Sequence, residues 1–107
     1  MHFKDLLVYK KGFDQAMEIL EISKSLQKEE IYSLTDQIRR SSRSACSNIA
    51  EAYRKRQYPK HFFGKLSDSN GENSETLAWL DFAYSFKYIN QKIYQKPVTE
   101  NEEIGSF

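Results

Sequence analysis

The side chains with the clearest chemical potential are the cations between residues 37 and 60. That stretch holds seven Arg or Lys residues and one acid, whereas residues 68–107 hold seven acids and three lysines. Guanidinium and ammonium groups bind phosphates through charge and carry little sequence information. The candidate nucleic-acid-binding residues are Arg39, Arg40, Arg43, Arg54, Lys55 and Arg56. A solvated basic face is the plain alternative to a binding site.

Residues typical of catalysis are sparse. His2 and His61 have no Cys or His neighbour at metal-ligand spacing. Glu72 and Glu75 form a carboxylate pair three residues apart, but such acids usually pair with arginines or face water. A Gly-rich phosphate loop and a nucleophile elbow are both missing. The sequence therefore predicts no catalytic residue, no metal, no cofactor and no enzymatic activity.

Length and composition predict one domain over residues 1–107. The single cysteine, Cys46, excludes an internal disulfide, favours a reducing cytosol and suits packing better than nucleophilic attack. The amino-terminal residues lack the apolar run of a signal peptide, and no stretch is long enough to span a bilayer. We expect a cytoplasmic protein with no membrane partner.

The central element is a long helix over residues 34–56, which no Pro or Gly interrupts. At about 100° per residue, one narrow arc collects small and aliphatic side chains. This inward face comprises Leu34, Ile38, Ser41, Ser42, Ala45, Ile49 and Ala52. The arginines lie on the opposite side, and Ser33 is placed to cap the start of the helix. The arc predicts close packing against sister helices.

Two further helices are predicted to carry two apolar sides each. In residues 4–26, one set is Leu6, Tyr9, Phe13, Ala16, Met17 and Leu20; the other is Val8, Gly12, Gln15, Ile19, Ile22 and Leu26. The second set has heptad-like spacing. In the helix of residues 59–87, which Pro59 can open, one face holds Phe62, Leu66, Asn70, Asn73, Leu77, Leu80 and Tyr84. Extra apolar sides suggest an oligomer interface through Ile19, Ile22, Trp79, Phe82 and Phe86, or a covering by the carboxy-terminal segment.

Six polar residues are candidates for contacts between helices or between subunits, and two of them, Asn70 and Asn73, lie in the middle of an apolar face. The six are Asn48, Glu51, Asn70, Asn73, Glu72 and Glu75. The alternative for Asn48 and Glu51 is simple solvation. Pro97 would break or kink a fourth helix, and the Thr-Glu-Asn-Glu run at residues 99–102 resembles a capping box for a restart. The predicted fold is all-α: an up-down antiparallel four-helix bundle whose fourth helix is short or interrupted.

Several of these motifs resemble the four-helix bundle proteins encoded in intervening sequences of bacterial large-subunit ribosomal RNA genes, also called S23 ribosomal proteins. The accessory protein of diversity-generating retroelements is similar. The resemblance covers residues 3–89 and lies in Gln-Ile-Arg-Arg at 37–40, Ser-Asn-Ile-Ala-Glu at 47–51, and Gly-Glu-Asn-Ser-Glu-Thr at 71–76 with Trp79 and Leu80. The chain departs from the family pattern at Ala45 and Cys46, at Ala52, before Glu29, and at Pro97.

The resemblance implies a bundle that assembles as a homopentamer. In the retroelement relatives, the pentamer has a basic surface and partners nucleic acid and a reverse transcriptase. Two functions follow as expectations. The first is a homo-oligomer that binds RNA or DNA through the central helix. The alternative is an oligomeric protein–protein interaction scaffold with no nucleic-acid ligand, whose arginines meet Glu72 and Glu75 across subunits.

Overall fold

Four α-helices build the computed structural model, which describes residues 2–104. They are α1 (Leu7–Ser23), α2 (Asp36–Arg54), α3 (Pro59–Ser85) and α4 (Gln91–Ile104), and this range contains no strand. A short 3₁₀ helix, Phe3–Asp5, precedes α1. The ends of the expected domain, residue 1 and residues 105–107, lie outside the described part. The all-α four-helix prediction is confirmed.

Neighbouring helices run in opposite directions. In each packed pair, residues late in one helix contact residues early in the other. The contacts are Arg39–Ser23 and Cys46–Gly12 for α2 with α1, Arg40–Glu75 and Glu51–Lys65 for α2 with α3, Asp81–Tyr94 and Asn73–Asn101 for α3 with α4, and Glu18–Lys96 and Lys11–Glu103 for α1 with α4. The topology is therefore up-down throughout, with α1 beside α4.

The inward face of α2 forms the centre of the bundle. All seven side chains predicted to face inward are buried. The hydroxyl oxygens of Ser41 and Thr76 lie 2.8 Å apart, and Ser69 Oγ donates to the Ala45 carbonyl at 2.7 Å. These bonds satisfy the buried hydroxyls between α2 and α3. A polar layer opposite the α2 serines is therefore present, and α3 supplies it from Ser69 and Thr76.

The start of α2 differs from the expectation. Ser33 lies within a π-helical turn, Ile31–Thr35, that runs directly into α2. Its hydroxyl donates to Glu30 Oε1 at 2.5 Å, and α2 has no side-chain cap. Because the helical path begins earlier than residue 33, no helix end remains there for Ser33 to cap.

The two apolar sides of α1 exchange their predicted roles. The heptad-spaced set lies inward: Ile19 has no exposed surface, and Ile22 packs against the core. A Cβ at Gly12 would lie 3.7 Å from Cys46, so the smallest residue of this set allows α2 to come close. Ile19 therefore cannot contact another subunit, and its predicted interface role is wrong. The set with Phe13 and Met17 is the exposed one, each about half accessible.

The buried side of α3 is rotated from its predicted position. Its buried residues are Ser69, Asn73, Thr76, Leu80 and Ala83. Trp79 packs partly against the core, whereas Phe82 and Phe86 are 48% and 55% exposed. The helix ends at Ser85 because Lys87 adopts a φ of 64°, and Tyr88 N–H then donates to the Ala83 carbonyl at 2.9 Å. This is a Schellman-type end with lysine at the left-handed position.

The fourth helix is short but continuous. It passes through Pro97 without a break, so of the two predicted alternatives, short or interrupted, the helix is the short one, and residues 99–102 lie inside it rather than at a restart. Pro97 is fully buried, and its carbonyl accepts a bond from Gln15 Nε2 at 2.9 Å. Asn101 Nδ2 donates to Gln15 Oε1 at 3.1 Å and to the Asn73 carbonyl at 3.0 Å. Packing and this network offset the backbone bond that the proline removes.

The network makes a prediction for Gln15. Replacing it in Gln15→Ala leaves the buried Asn101 amide and Pro97 carbonyl with fewer partners, so the free energy of unfolding should fall by about 1–3 kcal/mol. Urea denaturation followed by circular dichroism measures this. Gln95→Ala, on the exposed side of α4, is the matched control and should change stability by less than about 0.5 kcal/mol. Equal stability of the two variants would contradict the role assigned to Gln15.

A carboxylate pair also joins α1 to α4. Burial, together with a hydrogen bond to Glu100, raises the pKa of Glu18 from 4.5 to about 7. Lys96 lies 3.7 Å from Glu18 and opposes this rise without cancelling it. The folded protein thus retains a proton that the unfolded chain releases near pH 4.5. Stability from this group must fall as the pH rises from about 4.5 to about 7.

Glu18→Gln should remove this pH dependence. The variant should match the wild type near pH 4 and exceed it by about 1 kcal/mol at pH 8, a figure reduced for solvent screening. Thermal unfolding at several pH values between 4 and 8 measures the difference. Glu21→Gln, one turn away on the exposed side of α1, should leave the wild-type profile unchanged. Parallel profiles for wild type and Glu18→Gln would show that Glu18 has an ordinary pKa.

Candidate nucleic-acid interface

The arginines of α2 do not form one continuous free surface, because Arg40 pairs with two acids of α3 in the same chain. Its guanidinium lies 3.0 Å from Glu72 Oε2 and 2.6 Å from Glu75 Oε1. The hydrogen bond raises the pKa of Arg40 and lowers the pKa of Glu75. Arg40 therefore joins α2 to α3, and Glu72 and Glu75 form the predicted contacts between helices within one chain.

Arg39 turns the other way, toward α1. Its Nε donates to Ser23 Oγ at 2.6 Å, and the side chain is half-buried. Arg43 is exposed, at the rim of a mainly apolar groove of about 400 Å³ between α1 and α2. Phe13 and Met17 line the same groove. Three adjacent arginines on one helix thus have three different surroundings.

The remaining cations gather where α2 turns into α3. Residues 53–65, which we call the basic tip, contain five Lys or Arg residues and no acid. Arg54, Lys55 and Lys60 are exposed and form no ion pair within residues 2–104. Arg56 places its guanidinium 4.1 Å from the centre of the Tyr53 ring and donates to the Tyr53 carbonyl at 2.9 Å. The basic tip is the strongest concentration of available positive charge along α2.

Lys65 is the paired cation of the basic tip. It meets Glu51 at 2.7 Å, and this hydrogen bond raises the pKa of Lys65. Glu51, which is otherwise exposed, therefore makes the predicted contact between helices. Asn48 makes no hydrogen bond to another helix among residues 2–104: its Nδ2 donates to the Ser44 carbonyl at 2.9 Å, one turn back on α2.

The other two predicted polar residues, Asn70 and Asn73, lie on α3. The Asn73 backbone carbonyl accepts from Asn101. The buried atoms Asn70 Oδ1 and Asn73 Nδ2 have no hydrogen-bond partner among residues 2–104. The side-chain contacts expected of this pair are therefore not seen in the described part of the chain.

Reactive groups offer little for chemistry. Burial raises the pKa of the Cys46 thiol, which donates weakly to the Tyr9 carbonyl at 3.8 Å. The thiol therefore stays protonated at neutral pH and is a poor nucleophile. Within residues 2–104, no group of three or more His, Cys, Asp or Glu side chains could hold a metal ion. No helix of this range is long and apolar enough to cross a membrane.

Sequence reasoning missed the aromatic side chains of the basic tip. Tyr58 is 60% exposed and Phe63 is 65% exposed. Both lie between basic residues in the sequence, and neither belongs to the predicted apolar face of α3. That combination was a signal that could have identified them. It also missed the groove beside Arg43, because that required knowing which side of α1 is buried.

Comparisons with known proteins agree on one family. The family model for the 23S rRNA-intervening sequence protein matches residues 4–107. A crystal structure of a protein with unknown function from the S23 ribosomal protein family of Bacteroides thetaiotaomicron superposes with a TM-score of 0.85. The two chains are 29% identical, and the match covers 92% of each. No curated protein matches the sequence.

Proposed function

We propose that this chain, which belongs to the 23S rRNA-intervening sequence protein family, is a non-enzymatic homo-oligomeric bundle that binds RNA or DNA. Binding is through phosphates, which are the ligands that clustered Arg and Lys side chains favour. The site is the basic tip with Arg43, rather than the whole arginine face of α2. Arg39 and Arg40 contribute to the fold through their contacts with α1 and α3. We place this activity in the cytoplasm because a lone cysteine suits a reducing compartment.

One observation carries the nucleic-acid proposal: basic and acidic residues are concentrated in different parts of the chain, and most cations of the basic tip form no ion pair among residues 2–104. The acids of α3 nearest α2, Glu72 and Glu75, are occupied by Arg40. Glu51 pairs with Lys65, so within residues 2–104 the other four cations of the basic tip form no ion pair. A concentration of unpaired positive charge of this kind attracts polyanions and makes binding depend on salt.

Charge reversal tests the site. In the variant Arg54→Glu/Lys55→Glu, affinity for a fluorescent 20-nucleotide RNA should fall on the order of tenfold or more, because phosphate contacts become repulsive. The slope of log affinity against log salt should flatten by about 1 for each lost contact. Fluorescence anisotropy at 50 to 200 mM salt measures both.

The matched control is Arg40→Gln, which also removes an arginine from α2. Since Arg40 is held by Glu72 and Glu75, this variant should keep the wild-type salt slope. Its stability should fall by about 1 kcal/mol or less, as for other exposed ion pairs. Wild-type protein that binds no RNA at 50 mM salt would refute the proposal.

Two exposed apolar faces, one on α1 and one at the end of α3, support the homo-oligomer. One contains Phe13 and Met17 with the adjacent groove, and the other contains Phe82 and Phe86 beside Trp79. Half-exposed aromatic residues in groups are typical of contact surfaces. The family resemblance implies five subunits, and its retroelement members add a reverse transcriptase as a further partner. The same faces favour the second candidate function, a protein–protein scaffold without nucleic acid.

Substitution of the second face tests the assembly. Phe82→Glu/Phe86→Glu should shift the particle toward the monomer, because buried charge at an apolar contact is costly. Light scattering coupled to size exclusion measures the mass. Tyr32→Glu changes a ring that is 90% exposed and belongs to neither face, so it should leave the mass unchanged. A wild-type monomer at micromolar concentration would contradict the oligomer.

A further inference from the structure

We infer that the ligand of the basic tip is single-stranded nucleic acid, whose unpaired bases stack on Tyr58 and Phe63. This rests on the proposed function and specifies its substrate class. Two features of the basic tip carry the inference: its aromatic rings are exposed, and available cations lie near them in the sequence. Phosphates and bases would be bound by different side chains of one short segment.

The rings are placed for a ligand rather than for the core. Tyr58 is 60% exposed and meets His61 edge-on, with the ring centres 6.4 Å apart. Phe63 is 65% exposed and meets Phe62 edge-on at 5.3 Å. Both side chains therefore keep more than half of their surface accessible to a planar group.

Among residues 2–104, the helices differ in how far they reach toward the basic tip. Asn101 bonds to Asn73, so the described part of α4 ends only about one turn beyond the level of Asn73. From that level α3 continues back to Pro59 for 14 residues, or about 21 Å at the helical rise. Among residues 2–104, the basic tip therefore extends past the end of α4, with α2 and α3 as its supports.

The cations flank the rings along the chain. Arg54 and Lys55 precede Tyr58, and Lys60 lies between Tyr58 and Phe63. The Arg56 guanidinium is held against the Tyr53 ring. A positively charged track with aromatic platforms is the arrangement by which proteins bind single strands without sequence preference.

Two other polyanions fit less well. A duplex keeps its bases stacked inside, so exposed rings add nothing to binding of its phosphates. A membrane surface is usually met by an amphipathic helix with Leu, Trp or Phe along one side. The basic tip has no Leu, Ile, Val, Met or Trp, and one of its two exposed rings is a tyrosine. Charge with isolated rings therefore favours a single strand.

The experiment compares three probes on the full-length protein: a labelled 20-nucleotide oligouridylate, an RNA duplex of equal length, and phosphatidylserine-containing vesicles. The wild type should bind the single strand more tightly than the duplex. Tyr58→Leu/Phe63→Leu keeps apolar bulk and all charges, and should weaken single-strand binding on the order of tenfold while leaving duplex binding unchanged. Tyr32→Leu, at the opposite end of α2, is the control and should bind like the wild type.

The outcomes separate this inference from the proposed function. If the ring variant binds the single strand as the wild type does, while Arg54→Glu/Lys55→Glu does not, stacking is overturned and the phosphate site stands. Equal losses for single strand and duplex also overturn stacking. If the wild type binds neither RNA, both proposals fall. Binding to vesicles that depends on the rings, without RNA binding, would assign the basic tip to a membrane surface instead.

Discussion

The close approach of neighbouring helices to α2 is the constraint on which the structure depends. Small side chains on its inward face let α3 come near enough for Ser69 to donate to the Ala45 carbonyl at 2.7 Å. On the other side, Gly12 of α1 lies against Cys46. Dense packing at short interhelical distance is what makes a core of mainly small residues stable. Larger residues at these positions would separate the helices and break the hydroxyl bonds between them.

This constraint also decides which cations remain available. A helix that packs closely on two sides has a narrow exposed strip, and long side chains near its edges reach its neighbours. Arg39 meets Ser23 on α1, and Arg40 meets Glu72 and Glu75 on α3. Arg54 and Lys55 lie where α2 ends, and neither forms an ion pair in the described part of the chain, since the nearby Glu51 pairs with Lys65. The proposed binding site is therefore at the end of the bundle, where packing no longer uses the charges.

The same reasoning applies to the polar interior. Gln15, Asn73 and Asn101 come from three helices and share hydrogen bonds that also involve Pro97. Gln15 lies in the heptad-spaced set of α1, where a polar residue in an apolar stripe is a sign of a buried partner. The partner could not be identified from the sequence because it lies 86 residues away. The continuity of α4 through Pro97 depends on the same long-range contact with Gln15, so the sequence could not reveal it either.

Residue order alone determined the features that arise from neighbours three or four positions apart. These include four helices, the inward face of α2, the opening of α3 at Pro59 and the segregation of basic and acidic halves, because helical periodicity and capping are local. The tertiary structure decided which of the two apolar sides of α1 is buried, which arginines meet acids, and which rings stay exposed. Each of these depends on groups brought together from distant parts of the chain, and two sides of similar hydrophobicity cannot be ranked until their partners are known.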